Sequence, residues 1–263
     1  MTGHGPDVGM ISLRGVRKTY ASPAGPIEAV AGVSVDIAEG EFVSILGPSG
    51  CGKSTLLMML AGLESITAGS ISIGGQPMVG PRRDAGLVFQ DATLLPWLSA
   101  RDNVLFPIKM MRLPREKYVA RAEELLHSVG LGSFMDKRPR ELSGGMRQRV
   151  ALCRSLVHTP SIMLMDEPFS ALDAITRDEM ALVLLDLWAR HRKTGIFITH
   201  SIREAVLLSD RVLVMTKRPA VIVADVPIPF TRPRDESVQD SPEFIAIAAR
   251  LRGMIEHSIK DAA

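Results

Sequence analysis

Residues 41–63 read EFVSILGPSGCGKSTLLMMLAGL. The apolar run EFVSIL enters the glycine-punctuated segment GPSGCGKST at 47–55, and the chain leaves it as the apolar run TLLMMLAGL. That is the strand, glycine loop, helix order of a phosphate loop. Gly47, Gly50 and Gly52 let the backbone wrap an anion, and the dipole of a helix beginning near Lys53 adds partial positive charge. Lys53 is then placed to reach terminal phosphates and Ser54 to set its hydroxyl on Mg2+. The segment predicts an α/β chain that binds a nucleotide. Phosphate loops serve many purposes, so it does not by itself define a job.

The surrounding sequence supports that architecture. Short alternating apolar runs, MISLRGVRKTY, VSVDIAEGEFVSIL and GSISIGG, make the first 80 or so residues β-rich. Helical periodicity dominates from about 100 to 158, with Val119, Ala122, Leu126 and Val129 on one face. The apolar strand SIMLMDEP follows, then a helix with Met180, Val183, Leu184, Leu187 and Trp188 on one side, then the buried strand TGIFITH. Strands alternating with helices imply a parallel sheet covered on both faces. VPIPFTRPRDESVQDSPEF is Pro-rich and charged and reads as an exposed connection. A last helix begins at Ser241 and Pro242, with Phe244, Ile247, Ala248, Leu251 and Ile255 on its apolar face, expected to pack back on the domain.

Composition excludes several classes. The 263 residues are 46% hydrophobic and 23% charged, enough to bury a full core. Lys+Arg 31 against Asp+Glu 29 leaves a formal charge of +2, too balanced for nucleic acid as the main ligand. No apolar run reaches the roughly 20 residues of a membrane span. MTGHGPDVGMISLRG lacks the apolar core of a secretory signal, and two cysteines make no disulfide framework. The expectation is a cytoplasmic protein.

Three further strand ends carry polar residues. SIMLMDEP sets Asp166 and Glu167 where ligands of parallel sheets gather. Asp166 is expected in the Mg2+ shell, and Glu167 is expected to take a proton from an attacking water, a role worth roughly 10²–10⁴ in rate. GLVFQ ends in Gln90 and GIFITH in His200. His4, His127, His158, His191 and His257 read as ordinary surface or core residues.

A second anion-facing element is LSGGMRQR at 142–149. Ser143 is a good N-cap, and the glycines leave backbone N–H groups bare at the helix start. It need not face the phosphate loop of its own chain. If two copies meet head to tail, Ser143, Gly144 and Gly145 of each close over the nucleotide held by Lys53 of the other, giving two shared sites.

Taken together these residues resemble the ATP-binding subunit of ABC transporters. GPSGCGKST corresponds to Walker A, Gln90 to the Q-loop, LSGGM to the signature, IMLMDE to Walker B, SALD at 170–173 to the D-loop and His200 to the switch histidine, six motifs in family order between about residues 10 and 225. The resemblance implies a P-loop ATPase core with a parallel sheet, an N-terminal antiparallel β subdomain and an inserted α-helical subdomain. It implies boundaries at 1–90 (β subdomain and first part of the core), 91–158 (helical subdomain with the signature), 159–226 (rest of the core) and 227–263 (C-terminal linker and helix). ATP and Mg2+ are then the expected ligands. Gly47, Pro48, Ser49, Gly50, Cys51, Gly52, Lys53, Ser54 and Thr55 would cradle ATP with Ser143, Gly144 and Gly145, and Tyr20 would stack on adenine. Asp173 would couple the two sites, and Ser54, Gln90 and Asp166 would serve the metal. Glu167, His200 and Gln90 would serve hydrolysis.

Met146 stands where the family's commonest signature has Gln, a difference of about 1 kcal/mol in lost hydrogen bonding. Cys51 lies where a helix N-terminus can lower a thiol's pKa, although any small residue fits there; alkylating it is expected to block nucleotide binding, with ATP protecting. Leu94, Leu95, Pro96 and Trp97 form an apolar knot suited to docking, or to plugging the helical segment. LLPWLSARDNV and KRPAVI resemble the nitrate, sulfonate and taurine import group. The expectation is therefore an importer ATPase: a homodimer at the cytoplasmic face of the inner or plasma membrane, beside a permease and, indirectly, an extracytoplasmic solute-binding protein. A mechanical clamp in translation or DNA repair, or an ATPase regulating a membrane-bound hydrolase or a division complex, would use the same motifs.

Overall fold

A computed structural model describes residues 10–260, with side chains to Ser258. His4 and the start of MTGHGPDVGMISLRG lie outside the described residues. The chain divides into two compact units, residues 1–82 with 193–263, and residues 83–192.

In the first unit β1 (Ile11–Tyr20), β2 (Ile27–Ile37), β4 (Ala68–Ile73) and β5 (Gln76–Pro77) form an antiparallel sheet in the order β2-β1-β4-β5. Ile11 faces Ile37 on one side and Ile73 on the other. A second sheet places β3 (Phe42–Leu46) between β8 (Thr194–Thr199) and β9 (Arg211–Met215), parallel to both, with β10 (Ile222–Pro227) antiparallel on β9. Every residue of β3 and β8 is buried. This is why these strands read as unbroken apolar runs: helices cover both faces of a parallel sheet. α1 (Lys53–Leu60) packs on β8, and α6 (Ile202–Leu208) packs on β3 and β8. α7 (Pro242–Lys260) packs on α6 and β9 with Phe244 and Leu251 buried, as its apolar face anticipates.

The second unit holds the parallel pair β6 (Ala85–Val88) and β7 (Ile162–Asp166), with Val88 opposite Met165. Around it lie α2 (Ala100–Met110), α3 (Val119–Ser128), α4 (Gly144–Leu156) and α5 (Ala174–His191), of which α2, α3 and α4 pack on one another. Ala122, Leu126 and Val129 are buried, and so are Met180, Leu184, Leu187 and Trp188 of α5. This unit takes in residues 91–158 and also β6, β7 and α5.

The segment after β10 is largely exposed, as its composition implies, but it is pinned at buried points: Ile228 is 6% and Arg234 7% accessible. The reason is the end of α6. Arg234 donates to the carbonyls of Leu207 at 3.0 Å and Ser209 at 2.7 Å, and Arg232 donates to Leu208 O at 2.5 Å and to Asp210 at 2.8 Å. The last carbonyls of a helix have no partner within it, and these two cations supply one.

Candidate functional site

In the first unit the register of the parallel sheet decides which loops meet. Leu46 lies opposite Thr199, so the loop 47–52 and His200 leave the sheet at the same edge, where ligands of such sheets bind. The loop turns through left-handed positions at Gly50 (φ 71°) and Gly52 (φ 125°) that side chains rarely adopt. A methyl on Gly47 would meet Met215 O at 2.7 Å, so that glycine is demanded by close approach instead. Lys53 is 3% exposed and donates to Gly47 O at 3.0 Å and Pro48 O at 2.9 Å. Its ammonium therefore lies inside the loop, while Ser54 on the first turn of α1 is exposed.

Cys51 behaves as a small packed residue of the loop. The thiol is 2% exposed and burial pushes its pKa up, outweighing the nearby Lys53 charge. A reactive, low-pKa thiol is not what this helix end makes, because desolvation of a thiolate dominates.

Tyr20 ends β1 and is 37% exposed. The Lys18 ammonium lies 4.9 Å from its ring centroid, and its hydroxyl donates to Glu64 at 3.4 Å. Lys18 also donates to Glu64 at 2.7 Å and to Ser65 O at 2.7 Å. That Lys18 bond is the main reason the Glu64 carboxyl is held below its usual range. His200 is exposed, and its neighbours are pinned: Thr199 Oγ1 donates to buried Glu204 at 2.6 Å and accepts from Ser201 N at 2.9 Å. Thr199 and Glu204 had no spacing that flagged them.

In the second unit Gln90 follows β6 and Asp166 ends β7, adjacent strands in parallel register. Glu167 is half-buried with φ 43°, a left-handed conformation in a residue other than glycine. The Ser170 amide and hydroxyl both donate to Glu167 O, at 3.1 and 2.9 Å. Such backbone costs about 1–3 kcal/mol and persists where surrounding bonds enforce it.

Ser143 caps α4 by accepting from Met146 N at 3.2 Å. Gly145 is closely packed, since a methyl there would stand 2.5 Å from Thr176 Cγ2, whereas a methyl on Gly144 would meet nothing nearer than 3.7 Å. Asp173 caps α5, accepting from Thr176 N at 3.0 Å and Thr176 Oγ1 at 2.8 Å, and these bonds hold its carboxyl below the usual range. The signature glycine thus presses on the residue that Asp173 caps. Arg177 donates to Phe169 O and Leu172 O, holding the segment before Asp173 from inside.

Three further residues organise this unit. Gln148 is 3% exposed and donates to Phe89 O at 3.1 Å, beside Gln90. Arg154 donates to Ala92 O at 2.8 Å and Thr93 O at 2.9 Å. Asn103 is fully buried. It accepts from Leu95 N at 2.8 Å and donates to the carbonyls of Leu95, Leu98 and Ser99. With its loop templated in this way, Trp97 is 67% exposed, so it does not plug the helices. Arg218, in the first unit, donates to Gly50 O at 2.7 Å. Each of these acts on main-chain carbonyls, which carry no residue-type mark in the sequence.

His127 and His257 are exposed and His191 half-buried; His158 has buried ring nitrogens and a pKa lowered mainly by burial, as a core histidine would. Among the described residues no helix is long and apolar enough to cross a membrane. Nor do three His, Cys, Asp or Glu side chains cluster into a protein-only metal cage among them. The donors at the sheet edges, Ser54, Asp166 and Gln90, are oxygen ligands. Oxygen donors of this kind, in either unit, are the type that Mg2+ takes beside phosphate and water.

A family model described as ABC transporter matches residues 30–170. The taurine import ATP-binding protein of Burkholderia pseudomallei (strain 1710b) is 45% identical over 241 residues, 90% of this chain and 93% of that one. The nitrate import ATP-binding protein of Synechococcus elongatus is 43% identical over 242 residues, 90% and 88% of the two chains. A solved dimeric ATP-binding cassette in a post-hydrolysis state with ADP and Pi superposes with a TM-score of 0.74 at 34% identity, covering 84% of this chain and all of that one.

Proposed function

The chain belongs to the ABC transporter family, and we propose that it is the ATP-hydrolysing subunit of an importer for a small anionic or zwitterionic solute of the nitrate, sulfonate or taurine kind. Two copies close around two ATP molecules, drive a permease between inward-facing and outward-facing states, and reopen after hydrolysis. The assembly sits peripherally at the cytoplasmic face of the membrane, with an extracytoplasmic binding protein delivering solute to the permease.

The loop 47–55 wraps the phosphates, and Lys53 moves its ammonium from the loop carbonyls to the terminal phosphates. Tyr20 stacks on the base. Ser54, Asp166 and Gln90 hold Mg2+, which neutralises charge on the phosphate oxygens. Glu167 accepts a proton as water attacks the γ-phosphorus and the bond to the β-phosphate oxygen breaks, and His200 steadies the γ-phosphate. Ser143, Gly144 and Gly145 close from the second copy. Exposed Gly144 supports that reading, since a methyl there would fit at an ordinary contact distance of 3.7 Å and nothing in its own unit requires a glycine.

The observation that carries the transport role is the exposed Trp97, held out on a loop that buried Asn103 templates with four hydrogen bonds. A rigid, exposed aromatic fits the anchor of a docking surface. The test is to solubilise native membranes in ATP and identify what a tagged Glu167→Gln chain retains. A multi-span permease that is lost when Trp97→Ala is added is the expected result. Recovery of ribosomes, DNA or a hydrolase regulator would overturn the transport role and leave the ATPase chemistry standing.

A further inference from the structure

On the first unit a cavity of about 810 Å³ lies between the β9–β10 turn and the C-terminal half of α7. Its volume falls in the range of small-molecule sites. Val223, Ala224, Pro219 and Met254 supply an apolar wall, and Lys217, Arg218 and Arg250 supply charge. No carboxylate is among its lining residues, and among the described residues no ion pair engages these three cations. Asp225, next to the lining Ala224, is committed to Arg211 at 2.9 Å, and Glu256, next to the lining His257, is exposed and is not among the lining residues. Among the described residues these three exposed cations share the rim of an apolar hollow without a paired counter-charge, and a bound anion would supply one.

The helix wall is itself unusual. Gly253 sits in the interior of the 19-residue α7, where glycine costs roughly 1 kcal/mol relative to alanine. A methyl there would meet nothing within 4 Å, so packing does not demand the glycine. What its missing side chain leaves open is the cavity.

The same turn touches the phosphate loop. Arg218 Nε donates to Gly50 O at 2.7 Å, and Ala220 backs Gly52, whose hypothetical methyl would stand 3.3 Å from the Ala220 Cβ. We propose that this cavity binds a small organic anion, an aromatic ring or short chain bearing one carboxylate or sulfonate, and that the anion weakens nucleotide binding by drawing Arg218 away from Gly50. The binding stands on the cavity alone; the effect on nucleotide rests on the reading of 47–55 as the ATP loop.

The probe is naphthalene-2-sulfonate, titrated calorimetrically into the full chain, with naphthalene-2-methanol and inorganic sulfate beside it. The expected result is saturable binding of the sulfonate and at least about tenfold weaker binding of the two controls. Gly253→Phe, which fills the cavity and favours the helix, and Arg250→Glu, on the exposed helix face, should each lower sulfonate affinity at least about tenfold. With a fluorescent ATP analogue as second ligand, saturating sulfonate should raise the nucleotide Kd about fivefold in the parent chain and leave it unchanged in Arg218→Gln. No sulfonate binding, or equal binding by Gly253→Phe and Arg250→Glu, overturns the site. Equal binding of the neutral alcohol overturns the anion. Sulfonate binding with unchanged nucleotide affinity overturns the link through Arg218. Failure of the parent chain to bind the nucleotide analogue would overturn the reading of 47–55 instead, while sulfonate binding would still stand.

Discussion

At the scale of single residues the tension between stability and chemistry is sharpest at Glu167. Its φ of 43° suits glycine, and its side chain is the proposed base. Glu167→Gln keeps the strained backbone and removes the proton acceptor, so turnover should nearly vanish while ATP affinity and Tm stay near those of the parent. Glu167→Gly should abolish turnover equally and raise stability by up to about 1 kcal/mol, since glycine adopts left-handed backbone without steric cost. Thermal unfolding of the two variants separates the effects, and a less stable glycine variant would contradict the strain. Met146 is simpler. The amide of Met146 donates to Ser143 Oγ whatever its side chain, so Met146→Gln should change ATPase rate by less than about tenfold, the equivalent of 1.4 kcal/mol. The phosphate loop, the strand-end carboxylates and the signature were legible because their chemistry demands particular residue types at fixed spacing. Arg218 and Gln148 were not, because each serves an anonymous carbonyl distant in sequence, and Glu204 was not, because its pairing with the Thr199 hydroxyl follows no motif spacing. At Cys51 the helix end is visible in sequence, whereas the burial that dominates its pKa and leaves it a small packed residue is not.

At the scale of elements, α2 shows how one helix prepares a surface. Buried Asn103 satisfies the loop 95–99, and Asn103→Ala would strand the Leu95 amide and the Leu98 carbonyl in a half-buried loop, while Leu95 O and Ser99 O keep main-chain donors. That should cost about 2–4 kcal/mol and lower Tm by roughly 5 °C or more, with permease capture lost as well. An unchanged Tm would show that the loop is organised by something else. The N-terminus of the same helix carries a pH dependence. Arg115 donates to Asp102 at 2.6 Å, Ser99 Oγ also donates to Asp102 at 2.9 Å, and the Arg115 bond chiefly holds the Asp102 carboxyl below its usual range. As pH falls through the ordinary value of about 3.9 the unfolded chain takes up the proton first, so this stabilisation is fully present above that pH and is lost as pH drops through the depressed folded value. Asp102→Asn should therefore be less stable than the parent at pH 6, and the gap should narrow below about pH 4 in denaturant titrations. The strands and helices themselves were legible from periodicity. The anchoring of the exposed segment 228–239 at Ile228, Arg234 and Gln239 was not, since proline and charge mark a connection without saying that Arg232 and Arg234 will finish a helix.

At the scale of the whole molecule the question is why one chain carries two anion-facing helix ends. α1 begins in the first unit and α4 in the second, and the glycine at the tip of α4 has space that its own chain does not fill. The proposed answer, a head-to-tail pair sharing two nucleotides, makes ATP part of the interface, so association must follow nucleotide by mass action. Glu167→Gln, which binds without turning over, should therefore run as a monomer without nucleotide and as a dimer with ATP and Mg2+ in sedimentation velocity. Lys53→Ala should stay monomeric at the same ATP concentration, because the phosphates that bridge the two chains are no longer held. Gly144→Leu places bulk where its own unit leaves room, so it should keep the parent's Tm and single-chain nucleotide affinity while losing the dimer. A Gly144→Leu chain that still dimerises on ATP would mean that the end of α4 does not meet the second copy, and the two anion-facing ends would then need another explanation.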